Sequence, residues 1–177
     1  MSLIIVEGVD GTGKTVLAKK MSKIHNIPVV NIFDNSDKNI LNEMSIEYET
    51  YHEDIYFIEN WLNLKRPNCI LDRSVLSGLV YDDKNSRAYM ALGNWMKRIE
   101  QCKNEIEIVF LDALPGKVIE RDNDWKDKKN ELNSLSNSFA KLYNLLKGFG
   151  IKVYWIDTTF MNENNVFSEI AKKREEG

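Results

Sequence analysis

Apolar and polar positions alternate along this chain in two rhythms. Short β-branched runs recur: Ser2-Leu3-Ile4-Ile5-Val6, Val29-Val30-Asn31-Ile32-Phe33, Asn68-Cys69-Ile70-Leu71-Asp72, Ile106 to Leu111 and Gly150 to Asp157. Each has the length and composition of a buried strand. Between them the spacing changes to three and four residues. Val16 to Ile24 reads as a helix. Ile55, Phe57, Ile58, Trp61, Leu62 and Leu64 share a helical face that ends at Pro67, because proline cannot continue a helix. Ala88, Leu92, Trp95, Met96, Ile99 and Cys102 form another face over Ser86 to Cys102, and Pro115 to Arg121 reads as a short helix. A long helix is predicted from about Glu131 to Lys147, ending at Gly148 with Phe139, Leu142, Tyr143, Leu145 and Leu146 inward. A terminal helix closes near Arg174.

Strands therefore alternate with helices five times. That order predicts an α/β fold with a five-stranded parallel sheet and helices on both faces. Ligands of such sheets sit beyond the carboxyl ends of the strands. The segment Asp122 to Asn130 has no periodicity and is densely charged; it is expected to be a solvated loop or a short mobile lid carrying cations.

At 177 residues, with 43% hydrophobic and 29% charged residues, the chain is expected to form one domain over 1–177. A net charge of −3 gives no global attraction to duplex nucleic acid and suits a small ligand better. Cys69 and Cys102 fall in predicted elements as buried thiols, which points to a reducing compartment. No apolar stretch approaches the ~20 residues of a membrane span, and the first strand starts at once. A cytoplasmic location is expected.

The chemistry enters at the first strand-to-helix turn. Gly8-Val9-Asp10-Gly11-Thr12-Gly13-Lys14-Thr15 reads G-x-x-x-x-G-K-[ST], the P-loop, and lies between a strand and a helix as the motif requires. Its glycines let backbone N–H groups converge on phosphate oxygens at a helix N-terminus. Lys14 is expected to reach the β- and γ-phosphates, and the Thr15 hydroxyl to ligate Mg²⁺. Asp72, acidic at the carboxyl end of the third apolar run, is placed to face the Mg²⁺ or its waters. The adjacent Arg73 offers a planar fork for a second phosphate, as an enzyme with a phosphorylated acceptor would need.

On these residues the chain resembles the thymidylate kinase family over nearly its full length. Glu7 through Thr15 is similar to E-G-x-[DE]-x-x-G-K-[ST], and Asp72-Arg73 with Ser77 and Tyr81 to D-R-[YFH]-x-x-S-x-x-A-[YF]. Trp95, Ile108 to Asp112 and Pro115 through Arg121 follow the later family pattern. The resemblance implies a three-layer P-loop kinase fold with a short lid at about 122–130. It implies transfer of the γ-phosphoryl of MgATP to a pyrimidine deoxynucleoside monophosphate. Asp10 would lie near the acceptor's 3′-hydroxyl, Arg73 would hold its phosphate, Tyr48 would stack on its base, and the family implies a homodimer packed through helices.

Three departures bear on the acceptor. No arginine ends the second strand, and His52 stands where the family reads the pyrimidine edge with arginine. Gly11 leaves no arginine in the loop, so a transition-state cation must come from Arg121, Lys126, Lys128 or Lys129. The resemblance implies a pyrimidine acceptor, and these departures leave its base open between dTMP and a different or modified pyrimidine such as 5-hydroxymethyl-dUMP. Asp72-Arg73-Ser74-Val75 also resembles the E-R-S-[VI] segment of deoxynucleoside kinases, with Asp34 as the acidic residue after the second strand. A nucleotide-driven switch, or a kinase fold retained as a binding subunit, would carry a P-loop too. Abundant Asn, Lys and Ile suggest an AT-rich, viral source and hence a host cytoplasm.

Overall fold

The computed structural model describes residues 3–31, 68–81, 93 and 95–176. Their strands are β1 (Leu3–Gly8), β2 (Val29–Val30), β3 (Cys69–Asp72), β4 (Ile106–Asp112) and β5 (Lys152–Asp157). They form one parallel sheet in the order β2-β3-β1-β4-β5. The expected five-stranded parallel α/β architecture is what is observed.

β1 lies at the centre and all six of its residues are buried. Because successive strand residues face opposite ways, the alternation in β1 feeds two cores. Leu3 and Ile5 join Leu71, Ile108, Phe110 and Phe139 on one face. Ile4 and Val6 join Ile70, Val109, Leu111 and Met21 on the other. The second core is covered by α1 (Lys14–His25) and, through Val166 and Ile170, by the C-terminal helix, giving three layers.

α2 (Val75–Tyr81) follows β3, and residues 95–100 are helical with Trp95 and Ile99 fully buried. α3 (Pro115–Arg121) has its proline at the first helical position, where a missing N–H costs nothing. α4 (Lys129–Gly148) begins two residues earlier than its periodicity indicated, and α5 (Glu163–Glu176) closes the chain. Arg174 pins α5 to the sheet by donating to both carboxylate oxygens of Glu107 in β4.

The charged segment after Arg121 is exposed on most of its residues and folds into a turn: Asn123–Trp125 is a 3₁₀ helix, and Asp122 caps it by accepting from the Asp124 N–H. The reason is Trp125, which is 8% exposed and packs with Val118, Leu132 and Phe139. Lys128 lies over its ring at 5.3 Å. The polar residues around Trp125 mask a single large apolar anchor.

Candidate functional site

The turn from β1 into α1 is shaped by close backbone approach. Gly8 has φ 136°, and a Cβ there would stand 2.1 Å from the Leu111 carbonyl oxygen of β4. Gly13 has φ 96° and leads into α1, so the first N–H groups of the helix open onto the loop. Gly11, at φ 73°, packs against Val118 Cγ1 and Asp122, where a Cβ would come within 3.2 Å of the former. That packing explains why the loop carries no side chain at this position. α3 fills the space.

The loop is braced from inside. Val9 is buried, and its carbonyl accepts from the Thr12 hydroxyl at 2.7 Å and from Lys14 Nζ at 2.8 Å. Lys14 is 5% exposed and stands 3.7 Å from Asp10. Burial lowers its pKa to about 8, and the nearby Arg73 cation pushes the same way against Asp10, Asp72 and Glu7. An incoming anion would relieve that strain on the charged form.

Asp10, Gly11, Gly13, Lys14, Thr15, Asp72, Arg73 and Arg121 line one cavity of about 400 Å³, beyond the carboxyl ends of β1 and β3. The Thr15 hydroxyl donates to Asp72 Oδ2 at 2.5 Å, while Asp72 Oδ1 is buried without a hydrogen-bond partner. A buried carboxylate oxygen lacking a donor, beside a hydroxyl, fits a hard cation or its waters.

Arg73 stands at the corner between β3 and α2 with φ 81°. Its Nη2 pairs with Asp10 Oδ1, its Nη1 donates to Ser77 Oγ at 3.1 Å, and its guanidinium carbon lies 5.4 Å from the Tyr81 ring centre. Burial opposes the Arg73 charge, but Asp10, Tyr81 and Glu7 outweigh it and hold its pKa above the ordinary value. The Tyr81 hydroxyl donates to Asp10 Oδ2 at 3.1 Å and accepts from the Asp10 N–H at 3.2 Å. Burial and the Asp10 carboxylate push Tyr81 up to about 12, so it remains a donor.

Of the proposed lid cations, Arg121 alone lines the cavity among the described residues. Its guanidinium donates to the Gly11 carbonyl at 3.3 Å and to the Thr158 carbonyl at 2.8 Å. It also borders a second, more apolar hollow of about 220 Å³, formed with Leu17, Leu111, Met161 and Val166. Tyr48, His52 and Asp34 lie outside the described residues.

The contacts of three residues escaped sequence reasoning. Glu7, fully buried, accepts from the hydroxyls of Ser74 and Ser77, both at 2.6 Å. Burial raises its pKa while those hydroxyls and the Arg73 and Lys14 cations lower it. Its place at the head of the loop pattern, closing an otherwise apolar run, marked the residue without naming its partners. Ser74 was marked by the E-R-S-[VI] likeness, which names no partner for it. Thr158, after β5, has its hydroxyl oxygen 3.0 Å from both the Thr12 and Asp112 carbonyls, either of which can take its one proton, and nothing in its local sequence marks it.

No protein-family model matches the sequence, and no curated protein matches it in sequence. Solved structures do. The YorR protein of Bacillus subtilis, seen in complex with phosphorylated GDP, is 21% identical with a TM-score of 0.65, covering 98% of this chain and 96% of that one. Thymidylate kinase from Candida albicans is 18% identical with a TM-score of 0.60, covering 98% and 91%. Deoxyadenosine kinase from M. mycoides, with products dCMP and dCDP bound, is 14% identical with a TM-score of 0.56, covering 99% and 100%. The chain shares the fold of these solved structures, a parallel α/β sheet with a P-loop after its central strand. Among the described residues no helix is long and apolar enough to cross a membrane.

Proposed function

We propose that the protein is a cytoplasmic nucleoside monophosphate kinase, transferring the γ-phosphoryl of MgATP to a pyrimidine deoxynucleoside monophosphate, dTMP or a related or modified dUMP. The observation that carries this reading is Arg73, which shares one cavity with the P-loop lysine and lies next to Asp72. A hydrolase needs no second anion-binding arginine there; an enzyme whose acceptor bears a phosphate does.

In this reading the triphosphate lies on the loop from Gly8 to Thr15, and its base enters the hollow beside Arg121, Met161 and Val166. The acceptor phosphate takes the Arg73 fork, drawing it from Asp10, and Asp10 and Tyr81 are left to meet the sugar. Tyr48 and His52 would meet the base. An acceptor phosphate oxygen attacks the γ-phosphorus, the bond to the bridging oxygen breaks, and ADP departs with the electron pair. Lys14 and Arg121 hold positive charge on either side of the transferred group, so catalysis is positioning and electrostatics. A magnesium ion held at Thr15 and Asp72 would neutralise charge on the β- and γ-phosphates. The same reading expects a homodimer, which sedimentation would reveal.

The test is ADP formation by the pure protein with MgATP and a panel of dTMP, dUMP, 5-hydroxymethyl-dUMP, dCMP and the corresponding nucleosides. Turnover dependent on one monophosphate is expected. Turnover with nucleosides only would assign the protein to deoxynucleoside kinases, and acceptor-independent turnover would make it a nucleotide-driven switch.

A further inference from the structure

We propose that Glu7 is a positioning residue for Arg73: its buried carboxylate, acting through the Ser77 hydroxyl, sets the direction in which the guanidinium fork points. The inference rests on the reading above only in taking Arg73 as the acceptor-phosphate ligand.

Ser77 Oγ is 2.6 Å from Glu7 Oε2 and 3.1 Å from Arg73 Nη1. A hydroxyl has one proton. With that proton committed to the carboxylate, the oxygen presents its lone pairs to Arg73. Without the carboxylate, a helical serine can rotate about χ1 to donate to the carbonyl four residues earlier, which carries its oxygen away from Nη1.

The other two supports of Arg73 are of a different kind. The Asp10 side chain is 40% exposed and Tyr81 is 39% exposed. They bond to each other at the mouth of the cavity, where a ligand must displace or share them. Ser77 is 3% exposed and Glu7 wholly buried, so the bond between them, and the one from Arg73 to Ser77, lie beneath the ligand and persist through binding. Glu7 therefore fixes the fork at the moment when Asp10 lets go. Ser74 provides the internal contrast, since its hydroxyl donates to Glu7 Oε1 at 2.6 Å but does not touch Arg73.

The first experiment is guanidinium ¹H–¹⁵N NMR on the whole chain, with Arg73→Lys to assign the signals. In the wild type, hindered rotation should give Arg73 separate Nη resonances. With Asp10→Ala also in place, so that the Asp10 pair no longer hinders rotation, Glu7→Gln and Ser77→Ala should merge them, and Ser74→Ala should not. In steady-state assays, Glu7→Gln and Ser77→Ala should raise KM for the acceptor monophosphate at least tenfold, with KM for ATP within twofold. The double variant should be no worse than Ser77→Ala alone. Merged wild-type signals, unchanged signals when Ser77→Ala joins Asp10→Ala, or equal effects of Ser74→Ala and Ser77→Ala would overturn the proposal. If Glu7→Gln does not fold, the two serine variants decide it. A wild type without acceptor-dependent turnover would refute the kinase reading, while the NMR comparison would still decide the role of Glu7.

Discussion

Replacing Lys14 by methionine should stabilise the ligand-free protein while abolishing its activity. The lysine is 5% exposed, and its pKa falls to about 8 from an ordinary 10.5. Keeping it charged in the folded state below pH 8 thus costs about 3 kcal/mol. Methionine keeps the apolar stem without that cost. It loses the hydrogen bond to Val9, worth about 1 kcal/mol, but the Val9 carbonyl keeps the Thr12 hydroxyl. The net gain at pH 7 is about 2 kcal/mol, or roughly 4–8 °C in Tm for a chain of this size. The sign follows from linkage. A lysine with a lowered folded pKa binds fewer protons folded than unfolded between pH 8 and 10.5, so wild-type stability rises through that window. The advantage of Lys14→Met should shrink by about 1.4 kcal/mol per pH unit above 8 and vanish at pH ~9.5. Thermal melts of both proteins without nucleotide, from pH 6.5 to 10, read it directly. A variant less stable at pH 7, or a difference that does not change with pH, would refute the account of Lys14 as a strained cation awaiting an anion.

Gly8→Ala should be severe, costing upwards of about 3 kcal/mol, since a Cβ would meet the Leu111 carbonyl at 2.1 Å with φ at 136°; urea unfolding measures it, and a loss under about 1 kcal/mol would contradict the close approach. Thr15→Ala removes the hydroxyl on Asp72 and should weaken magnesium-dependent nucleotide binding about tenfold or more, a loss of at least ~1.4 kcal/mol. Magnesium-free binding should change little, and titration calorimetry with and without the ion separates the two. Trp125→Ala should lower stability by about 3–5 kcal/mol, as for a buried aromatic residue. A solvated lid would lose almost nothing, which chemical denaturation would reveal.

The residues that declared themselves in the sequence were those whose chemistry depends on neighbours in the chain. The P-loop is a local device of one turn, and Lys14 and Thr15 follow from the rise of α1. Asp72 and Arg73 were legible because they end an apolar run. The strands were legible because both faces of the sheet are covered, leaving near-continuous apolar stretches. What stayed hidden depends on residues far apart in sequence. Glu7 meets Ser74 and Ser77 only once β1 and β3 pair, and Thr158 meets Thr12 across the sheet. Trp125 was lost among charges because one anchor makes no periodicity.

The corner at Arg73 carries a consequence for anyone redesigning this chain. A backbone at φ 81° is the kind of position where glycine is at ease and a branched side chain is strained. A procedure that optimises melting temperature alone would write glycine at 73, as it would write methionine at 14, and deliver a sturdier, inert scaffold. Positions where local preference and the resident side chain disagree are the ones a thermostabilisation campaign should freeze from the outset.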